Sequence, residues 1–276
     1  MLSNFEKVKQ FNLIFGHPVG IVEQLNIFSE SPNIVSLRNN LIREEVSELL
    51  EAIGNLDVIE MIDALSDILY VSYGLLVVYG VDGVQEYRKY INKKISIEET
   101  GDSSLAKLKL DINFNTNFEL TKQLTTYYYP NISYVSPKNF FNQFEELTSL
   151  QHLVNTYCVE LETELINLDR YSNKHNFSGV MHTIMEIIYY IYIIGALMDV
   201  NLDLSVNMVH DSNMSKICST EDEANATVEW YKVHESRYDS PNYRKCDHGY
   251  VIFNESTGKI LKNINYKPVD LSSFLN

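Results

Sequence analysis

Two groups of carboxylates stand close together in the first third of the sequence. One has the spacing Glu44-Glu45-x-x-Glu48, and the other has the spacing Glu60-x-x-Asp63. Residues three and four apart share one face of an α-helix, so each group forms a single acidic patch. If the two patches lie on adjacent antiparallel helices, four or five carboxylates converge in the groove between them.

Converging carboxylates indicate a site for hard cations. Like charges repel unless something neutralises them, and an all-oxygen ligand set selects Mg²⁺ or Mn²⁺. Such ions bridge phosphate oxygens, polarise phosphorus and activate water. The first group alone could equally be a solvated helix face. Glu60 and Asp63, however, stand in the apolar segment 58–65, where unpaired acids are costly. Asp67, one turn later, is a further candidate ligand.

Other metal chemistries find no support in the sequence. A di-iron bundle requires inward-facing Glu-x-x-His pairs, and the sequence contains none. The cysteines, Cys158, Cys218 and Cys246, are far apart and form no Cys-x-x-Cys pair. This pattern argues against a zinc site or a disulfide framework and favours a reducing, cytoplasmic compartment.

The elements that must position these acids are helices. Apolar residues recur at three- and four-residue steps, and Gly and Pro number only 11 and 6, which is few for the tight turns of a sandwich or barrel. Residues 250–253 and 259–262 flank a Gly-containing turn and are predicted to form a β-hairpin. Helices are predicted at residues 5–15, 36–53, 58–78, 84–97, 139–170, 177–198, 202–217 and 221–235.

Charge restricts the partners. The formal net charge is −15, and so acidic a surface repels nucleic acid and anionic membranes. A nucleotide is also an anion, so a nucleotide enzyme of this composition requires bound cations. The apolar runs at 68–81 and 187–198 are shorter than the ~20 residues of a membrane span, and we expect them to be buried core helices.

The second half of the chain repeats the first. The segment from Asp67 to Tyr73 matches the segment from Glu186 to Tyr192 without a gap, and the same helix–break–helix order follows. A duplication explains this best. We therefore expect a first repeat carrying the acids at 1–98, a linker or insertion with room for one short helix at 99–138, a degenerate second repeat at 139–236, and a C-terminal tail with the hairpin at 237–276.

These motifs resemble the all-alpha NTP pyrophosphatase superfamily, which includes MazG, the phosphoribosyl-ATP pyrophosphohydrolases and the dimeric dUTPases. The resemblance rests on the EExxE and ExxD motifs and on the segment 212–216, which looks like the SNMSK stretch of phosphoribosyl-ATP-pyrophosphohydrolase-like members. The tail at 238–244 also resembles eukaryotic and viral relatives. The resemblance implies an all-α fold, here of tandem MazG-like helical bundle repeats with a small C-terminal β-hairpin.

The resemblance also implies a reaction. Members of this superfamily cleave between the α and β phosphates of a nucleoside triphosphate and release a monophosphate and pyrophosphate. Glu44 would orient or deprotonate the attacking water, and Mg²⁺, or alternatively Mn²⁺, would be the cofactor. The implied metal ligands are Glu45, Glu48, Glu60 and Asp63.

The implied site is split between the two repeats. The second repeat has lost four of the acids and is not expected to hold the metals, whereas Asn213 and Lys216 of the SNMSK stretch fall opposite Lys94 and Ile97 of the first repeat. Our hypothesis is a fused pseudo-dimer, in which the first repeat supplies the metals and Asn213 and Lys216 bind phosphate. Lys94 is included among the candidate substrate-binding residues. The positions of Glu44, Glu48, Glu60 and Asp63 are occupied in the second repeat by Thr163, Asn167, Gly179 and His182.

The base-binding residues are less specified. Phe11 and Asn12 on the first helix could contact a base, although such a stripe is also typical of a core. Tyr243 and Arg244 could close over the nucleotide, or belong to a surface hairpin. dUTP, dCTP, a damaged nucleotide and phosphoribosyl-ATP all remain open as substrates.

Two functions of other classes are the alternatives to the enzyme. One is a catalytically silent nucleotide or metal sensor, and the other is a helical interaction module. The retained acids favour the enzyme over both. Because the fusion halves the usual number of chains, a homodimer is expected.

Overall fold

The computed structural model describes residues 2–98, 116–130, 136–141 and 148–276. The chain forms a helical bundle followed by a small antiparallel sheet, which confirms the predicted all-α fold with a minor β element. Within the described residues the helices are α1 (Asn4–Ile14), α2 (Ile27–Glu30), α3 (Pro32–Gly54), α4 (Val58–Tyr79), α5 (Gly83–Glu98), α6 (Asn117–Tyr128), α7 (Thr148–Asn173), α8 (Phe177–Leu197), α9 (Leu202–Met214) and α10 (Glu221–His234). The strands are β1 (Ile217–Cys218), β2 (Pro241–Cys246) and β3 (Gly249–Asn254), and short 3₁₀ helices span Pro137–Asn139 and Ser272–Leu275.

Helices α4 and α8 form the centre of the bundle. Both are long and apolar enough to cross a membrane, but 83% and 89% of their most apolar windows are buried inside the fold. A helix that is apolar on nearly all sides is stable when other helices cover it all round. The two runs identified in the sequence are therefore core helices, as expected.

Local chemistry sets the ends of the helices that carry the acids. The Asp57 carboxylate accepts hydrogen bonds from the Ile59 and Glu60 amides and caps the start of α4, which satisfies amides that lack a partner inside the helix. Gly80, at φ 72°, ends α4 in the left-handed conformation that glycine adopts readily. Only residues 55–57 separate α3 from α4, so the two helices are antiparallel neighbours.

The helices are arranged in two equivalent sets. In the first set α3 and α1 pack on α4, and in the second set α7 and α6 pack on α8. The last helix of each set packs on the other set. Helix α5, which follows α4, packs on α8, and helix α9, which follows α8, packs on α4. This arrangement has the pseudo-two-fold symmetry of a fused dimer, with α4 and α8 in contact across the axis.

Helix α6 lies inside the segment predicted as a linker or insertion, 99–138, for which one short helix was allowed. Its start, Thr116-Asn117-Phe118-Glu119, repeats the start of α1, Ser3-Asn4-Phe5-Glu6, and in both the hydroxyl of the first residue caps the amide of the fourth. Because α6 packs on α8 as α1 packs on α4, the second repeat begins near residue 116. The remaining parts of the predicted linker, 99–115 and 131–135, lie outside the described residues.

The C-terminal sheet differs from the predicted hairpin. Its strand order is β1-β3-β2, and β3 pairs with the preceding β2 across the two-residue turn Asp247-His248. A two-residue turn matches the twist of paired strands, so β2 and β3 pair over their whole length. The predicted partner segment, 259–262, also pairs with β3, but over a shorter stretch: Ile260 bridges Phe253, the Leu261 amide donates to the Ile252 carbonyl, and the Asn254 amide donates to the Lys259 carbonyl. The helix predicted at 202–217 is also shorter, because α9 ends at Met214 and Ile217 begins β1.

Candidate metal centre and substrate groove

The groove between α3 and α4 collects the predicted acids. Glu45 on α3 and Asp63 and Asp67 on α4 are half-buried, and they face one another because the two helices are antiparallel. The other three acids lie exposed along the same groove, where Glu44, Glu48 and Glu60 form its rim.

Burial and mutual repulsion raise the pKa of the half-buried acids. The pKa of Glu45 rises to about 8, first through burial and then through Asp67 and Glu48. The pKa of Asp67 rises to about 7, through burial and then Asp63. Burial also raises the pKa of Asp63, with Glu60 as the next cause. Acids on the two helices therefore raise one another's pKa, and a bound cation would stabilise their ionised forms.

The donor set fits a hard divalent cation. The Asp63 Oδ1 atom is buried and has no hydrogen-bond partner, which is costly for a carboxylate unless an ion takes that place. The groove offers carboxylate oxygens, the ligands that Mg²⁺ and Mn²⁺ prefer. Among the residues that the structure describes, no three acidic, His or Cys side chains stand close enough to form a ready-made ligand set.

The second repeat reaches this groove through α9. The Ser205 hydroxyl on α9 lies 2.7 Å from the Ser66 hydroxyl on α4, and His210 Nδ1 lies 3.0 Å from the Tyr70 hydroxyl. These buried contacts fix α9 along α4. They carry the end of α9, with its SNMSK stretch, to the acidic groove.

Asn213 and Lys216 lie at the acidic groove as a linked pair. The Lys216 ammonium donates a 2.6 Å hydrogen bond to Asn213 Oδ1. Burial, followed by the nearby charge of Lys262, lowers the pKa of Lys216 to about 8, while Asp67 acts in the opposite direction. Asp67 and Lys216 influence each other's ionisation, so the two repeats each contribute charge to one groove.

Lys94 does not join this groove. Its ammonium lies 3.1 Å from Glu186 Oε2 on α8 and over the Tyr189 ring at 4.5 Å. Glu186 is the repeat counterpart of Asp67, so Lys94 occupies the corresponding place in the degenerate half. Its assignment as a substrate-binding residue is corrected, because its charge is already neutralised by a buried carboxylate.

The first-helix candidates divide into one groove residue and one structural residue. Phe11 packs edge-on against Tyr70 and stacks with His17 at 5.7 Å between ring centroids. Asn12 is instead buried, and its amide donates to the Pro18 carbonyl. Asn12 therefore shapes the loop that carries His17, and its assignment as a base-contacting residue is corrected.

The tail candidates divide in the same way. The Tyr243 hydroxyl donates to Glu221 on α10 at 2.9 Å, so this side chain connects the sheet to a surface helix. The prediction that Tyr243 contacts the nucleotide is therefore corrected. The Arg244 guanidinium stacks over Phe253 and donates to the Phe15 carbonyl at the end of α1. Arg244 is thus the one tail residue of the pair that reaches the first repeat.

Two residues that sequence reasoning missed belong to the same region. Burial lowers the pKa of His17 to about 4, and the next causes are three cations, Arg38, Arg244 and Lys216. His17 follows the predicted first helix in a loop, where spacing gives no signal. Arg38 stands seven residues before Glu45, two full helical turns, so the same α3 face carries both.

Comparison with known proteins agrees with this geometry. A family model described as phosphoribosyl-ATP pyrophosphohydrolase matches residues 8–94. An uncharacterized protein of Acanthamoeba polyphaga mimivirus is 31% identical over 277 residues, covering 99% of this chain and 96% of that protein. No solved structure gives a significant match. The matched segment contains α3 and α4 with every acid of the groove, together with Phe11, His17 and Arg38.

Proposed function

Since the chain belongs to the MazG-like all-alpha NTP pyrophosphatase superfamily through its phosphoribosyl-ATP pyrophosphohydrolase domain, we propose that it is an Mg²⁺-dependent hydrolase of nucleoside triphosphates. It cleaves the bond between the α-phosphorus and the oxygen that leads to the β-phosphorus of a (d)NTP. The products are a nucleoside monophosphate and pyrophosphate. The observation that carries this proposal is the groove in which acids of the first repeat meet Lys216 of the second.

The groove acids divide between metal binding and water activation. Bound Mg²⁺, or Mn²⁺, supplies charge neutralisation and polarises the α-phosphate. Glu44 lies on the exposed rim, where it can accept a proton from the attacking water. The water oxygen bonds to the α-phosphorus, and the electron pair of the broken bond leaves on pyrophosphate. The proposed metal ligands are Glu45, Glu48, Glu60 and Asp63, with Asp67 as the further candidate, whose half-buried carboxylate supports this role.

The second repeat supplies the groups that hold the phosphates. Asn213 and Lys216 already form a hydrogen-bonded pair, so little ordering is needed when a triphosphate binds. Phe11 and His17 provide a stacked aromatic surface beside the groove on which a base can lie. The net charge of −15 supports a small, cation-bound substrate over nucleic acid or an anionic membrane as partner, and we propose a cytoplasmic homodimer.

A nucleotide panel separates this function from its alternative, a catalytically silent nucleotide or metal sensor. The protein is incubated with Mg²⁺ and single nucleoside triphosphates, including dUTP, dCTP and phosphoribosyl-ATP, and pyrophosphate and orthophosphate are quantified separately. We expect equimolar monophosphate and pyrophosphate from at least one of them. Release of orthophosphate alone would exclude α–β cleavage. Nucleotide-dependent metal binding without any release would favour the sensor.

A further inference from the structure

Arg38 is a buried cation without an anionic partner. Its side chain is 9% exposed, and its Nε atom has no hydrogen-bond partner. Burial alone lowers its pKa, to about 10. Within the described ranges no carboxylate forms an ion pair with it. An isolated buried charge is among the costliest arrangements in a protein, so a ligand that neutralises it is the natural explanation.

A glycine on the neighbouring helix makes the room for this side chain. A Cβ atom at Gly74 of α4 would lie 2.8 Å from Arg38 Nη1 and 3.7 Å from a Val8 methyl. Any larger residue would displace the guanidinium. Gly74 lies in the middle of α4, where glycine costs about 1 kcal/mol relative to alanine, so a helix of this kind retains it for a packing reason.

The degenerate repeat lacks both members of this pair. The ungapped repeat alignment sets Tyr157 opposite Arg38 and Ile193 opposite Gly74. The Tyr157 hydroxyl lies 2.7 Å from the Tyr129 hydroxyl. At this position the second repeat therefore has two neutral groups that hydrogen-bond to each other, whereas the described part of the first repeat has a charge without an ion-pair partner. The buried arginine and its glycine therefore occur in the repeat that has all six acids, and both are replaced in the repeat where Thr163, Asn167, Gly179 and His182 stand in place of four of them.

Two more cations lie in the same region. Arg244 borders Gly16, where an added Cβ would lie 2.8 Å from its Nη2, and it bonds to the Phe15 carbonyl. Lys216 lies at the acidic groove beside Asn213. In the part of the chain that the structure describes, neither forms an ion pair with a carboxylate within 4.0 Å. All three cations, Arg38, Arg244 and Lys216, lower the pKa of His17 after burial, and Arg244 contacts the neighbouring Gly16.

We propose that Arg38, together with Arg244 and Lys216, forms an anion subsite that binds the β- and γ-phosphates of the substrate and hence the pyrophosphate product. This inference rests on the proposed function and adds a specificity-determining residue to it. Arg38 lies two helical turns, about 10.5 Å along the axis, from Glu45, so Arg38 is separate from the metal ligands, whereas Lys216 lies at the acidic groove. A neutral base cannot compensate three cations, whereas pyrophosphate can, through charge-assisted and bidentate hydrogen bonds.

Binding of the two products tests the assignment without requiring turnover. Inorganic pyrophosphate and a panel of nucleoside monophosphates are titrated, with Mg²⁺ present, into the wild type, Arg38→Met and Arg38→Lys. The control is Arg43→Met on the same helix, because Arg43 already pairs with Asp169. We expect pyrophosphate to bind at least about tenfold more weakly to Arg38→Met and less weakly to Arg38→Lys. The affinity of the Arg38 variants for monophosphates should not change. The control variant should bind both products as tightly as the wild type does.

The outcomes are distinct. Unchanged pyrophosphate affinity in a folded Arg38→Met protein would overturn the inference, and so would a selective loss of monophosphate affinity, which would assign Arg38 to the nucleoside. Thermal unfolding of the ligand-free variant gives a second readout, because removing an uncompensated buried charge should raise the melting temperature of Arg38→Met. A lower melting temperature with unaltered product binding would make Arg38 a structural residue. If no nucleotide is hydrolysed yet pyrophosphate still depends on Arg38, the proposed reaction fails while the subsite stands.

Discussion

The hydroxyls of Tyr73 and Tyr192 lie 3.1 Å apart at the contact of the two repeats, and the two residues occupy equivalent positions in them. Asn117 of the second repeat donates to Tyr73, and Asn4 of the first donates to Tyr192. Asn4 and Asn117 are themselves equivalent. This symmetric group of four side chains marks the pseudo-two-fold axis and ties each first helix to the opposite repeat.

Tyr73→Phe tests whether this group holds the repeats together. The substitution leaves the buried amide of Asn117 without its acceptor, so we expect a loss of about 1–3 kcal/mol in the free energy of unfolding. Chemical denaturation measures the loss. Tyr250→Phe is the control, because Tyr250 is a partly exposed tyrosine of β3 outside the bundle. Equal stabilities of the two variants would show that the hydroxyl contact is dispensable.

Glu48→Gln should abolish Mg²⁺-dependent hydrolysis without unfolding the chain. The residue lies exposed on the groove rim, so the amide fits, but it is a poorer ligand than a carboxylate for a hard cation. We expect turnover to fall by at least about 100-fold, measured as pyrophosphate release at saturating nucleotide. Glu51→Gln, an exposed residue of the same helix, should retain full activity. An active Glu48→Gln enzyme would refute the metal assignment.

Lys216→Ala tests the contribution of the second repeat. Because the ammonium lies beside Asp67 in a half-buried site, its loss should weaken triphosphate binding and raise KM by about tenfold or more. Steady-state kinetics with the substrate found in the nucleotide panel measures the effect. Lys245→Ala removes an exposed lysine of β2 and should leave KM unaltered. Unchanged KM and turnover in Lys216→Ala would mean that the first repeat acts alone.

Lys94→Met should lower stability and leave catalysis intact. It leaves the Glu186 carboxylate buried without its counter-charge, which should cost about 1–3 kcal/mol of unfolding free energy. The Lys94 and Glu186 atoms are close but not aligned as a hydrogen bond, so the contact is one of charge. Denaturation curves and KM are measured on the same protein. A raised KM with unchanged stability would show that Lys94 binds substrate, as the sequence predicted.

In the metal-free protein, the free energy of unfolding should fall as pH rises, because ionisation of Glu45 destabilises the folded state. The folded-state pKa of Glu45 is about 8, against an ordinary value of 4.5, so the folded state holds this proton more tightly than the unfolded state. The penalty for ionising it is absent below pH 4.5, grows from there as pH rises, and is complete above pH 8. Mg²⁺ favours the ionised carboxylate and should reduce the penalty.

Comparison of the wild type with Glu45→Gln in EDTA isolates this effect. The difference is needed because burial lowers the pKa of Lys216 from 10.5 to about 8, so ionisation of this residue makes stability rise with pH above about pH 8, at the upper end of the range measured. We expect Glu45→Gln to gain stability relative to the wild type as pH rises from 6 to 9. Thermal unfolding at each pH measures the difference. Parallel pH profiles for the two proteins would contradict the raised pKa.

Much of the fold and half of the site could be read from the sequence, because those features are local. Helical periodicity predicts both ends of α3, α4 and α8 to within four residues, whereas α7 begins at Thr148 and not at the predicted residue 139. The spacing of Glu45 and Glu48, and of Glu60 and Asp63, places each pair on one face of its helix. One short helix was allowed in the segment that contains residues 117–128, but its bounds and its equivalence to α1 were not predicted, although Asn4-Phe5-Glu6 recurs as Asn117-Phe118-Glu119. The periodicity there is weaker, and the match lies at a different offset from that of the other repeat helices.

Contacts between distant elements were decided only by the tertiary structure. Lys94 and Lys216 have similar local settings, yet one neutralises Glu186 in the degenerate half whereas the other lies beside Asp67. Arg38 looks like an ordinary helix-surface arginine until α4 covers it and Gly74 makes room for it. Burial and charge pairing depend on which helices meet, and residues far apart in the chain set that choice through the packing of α4 and α8. The sequence by itself therefore determined which residues are the candidate metal ligands, and the packing of the two repeats decided which cations lie near them.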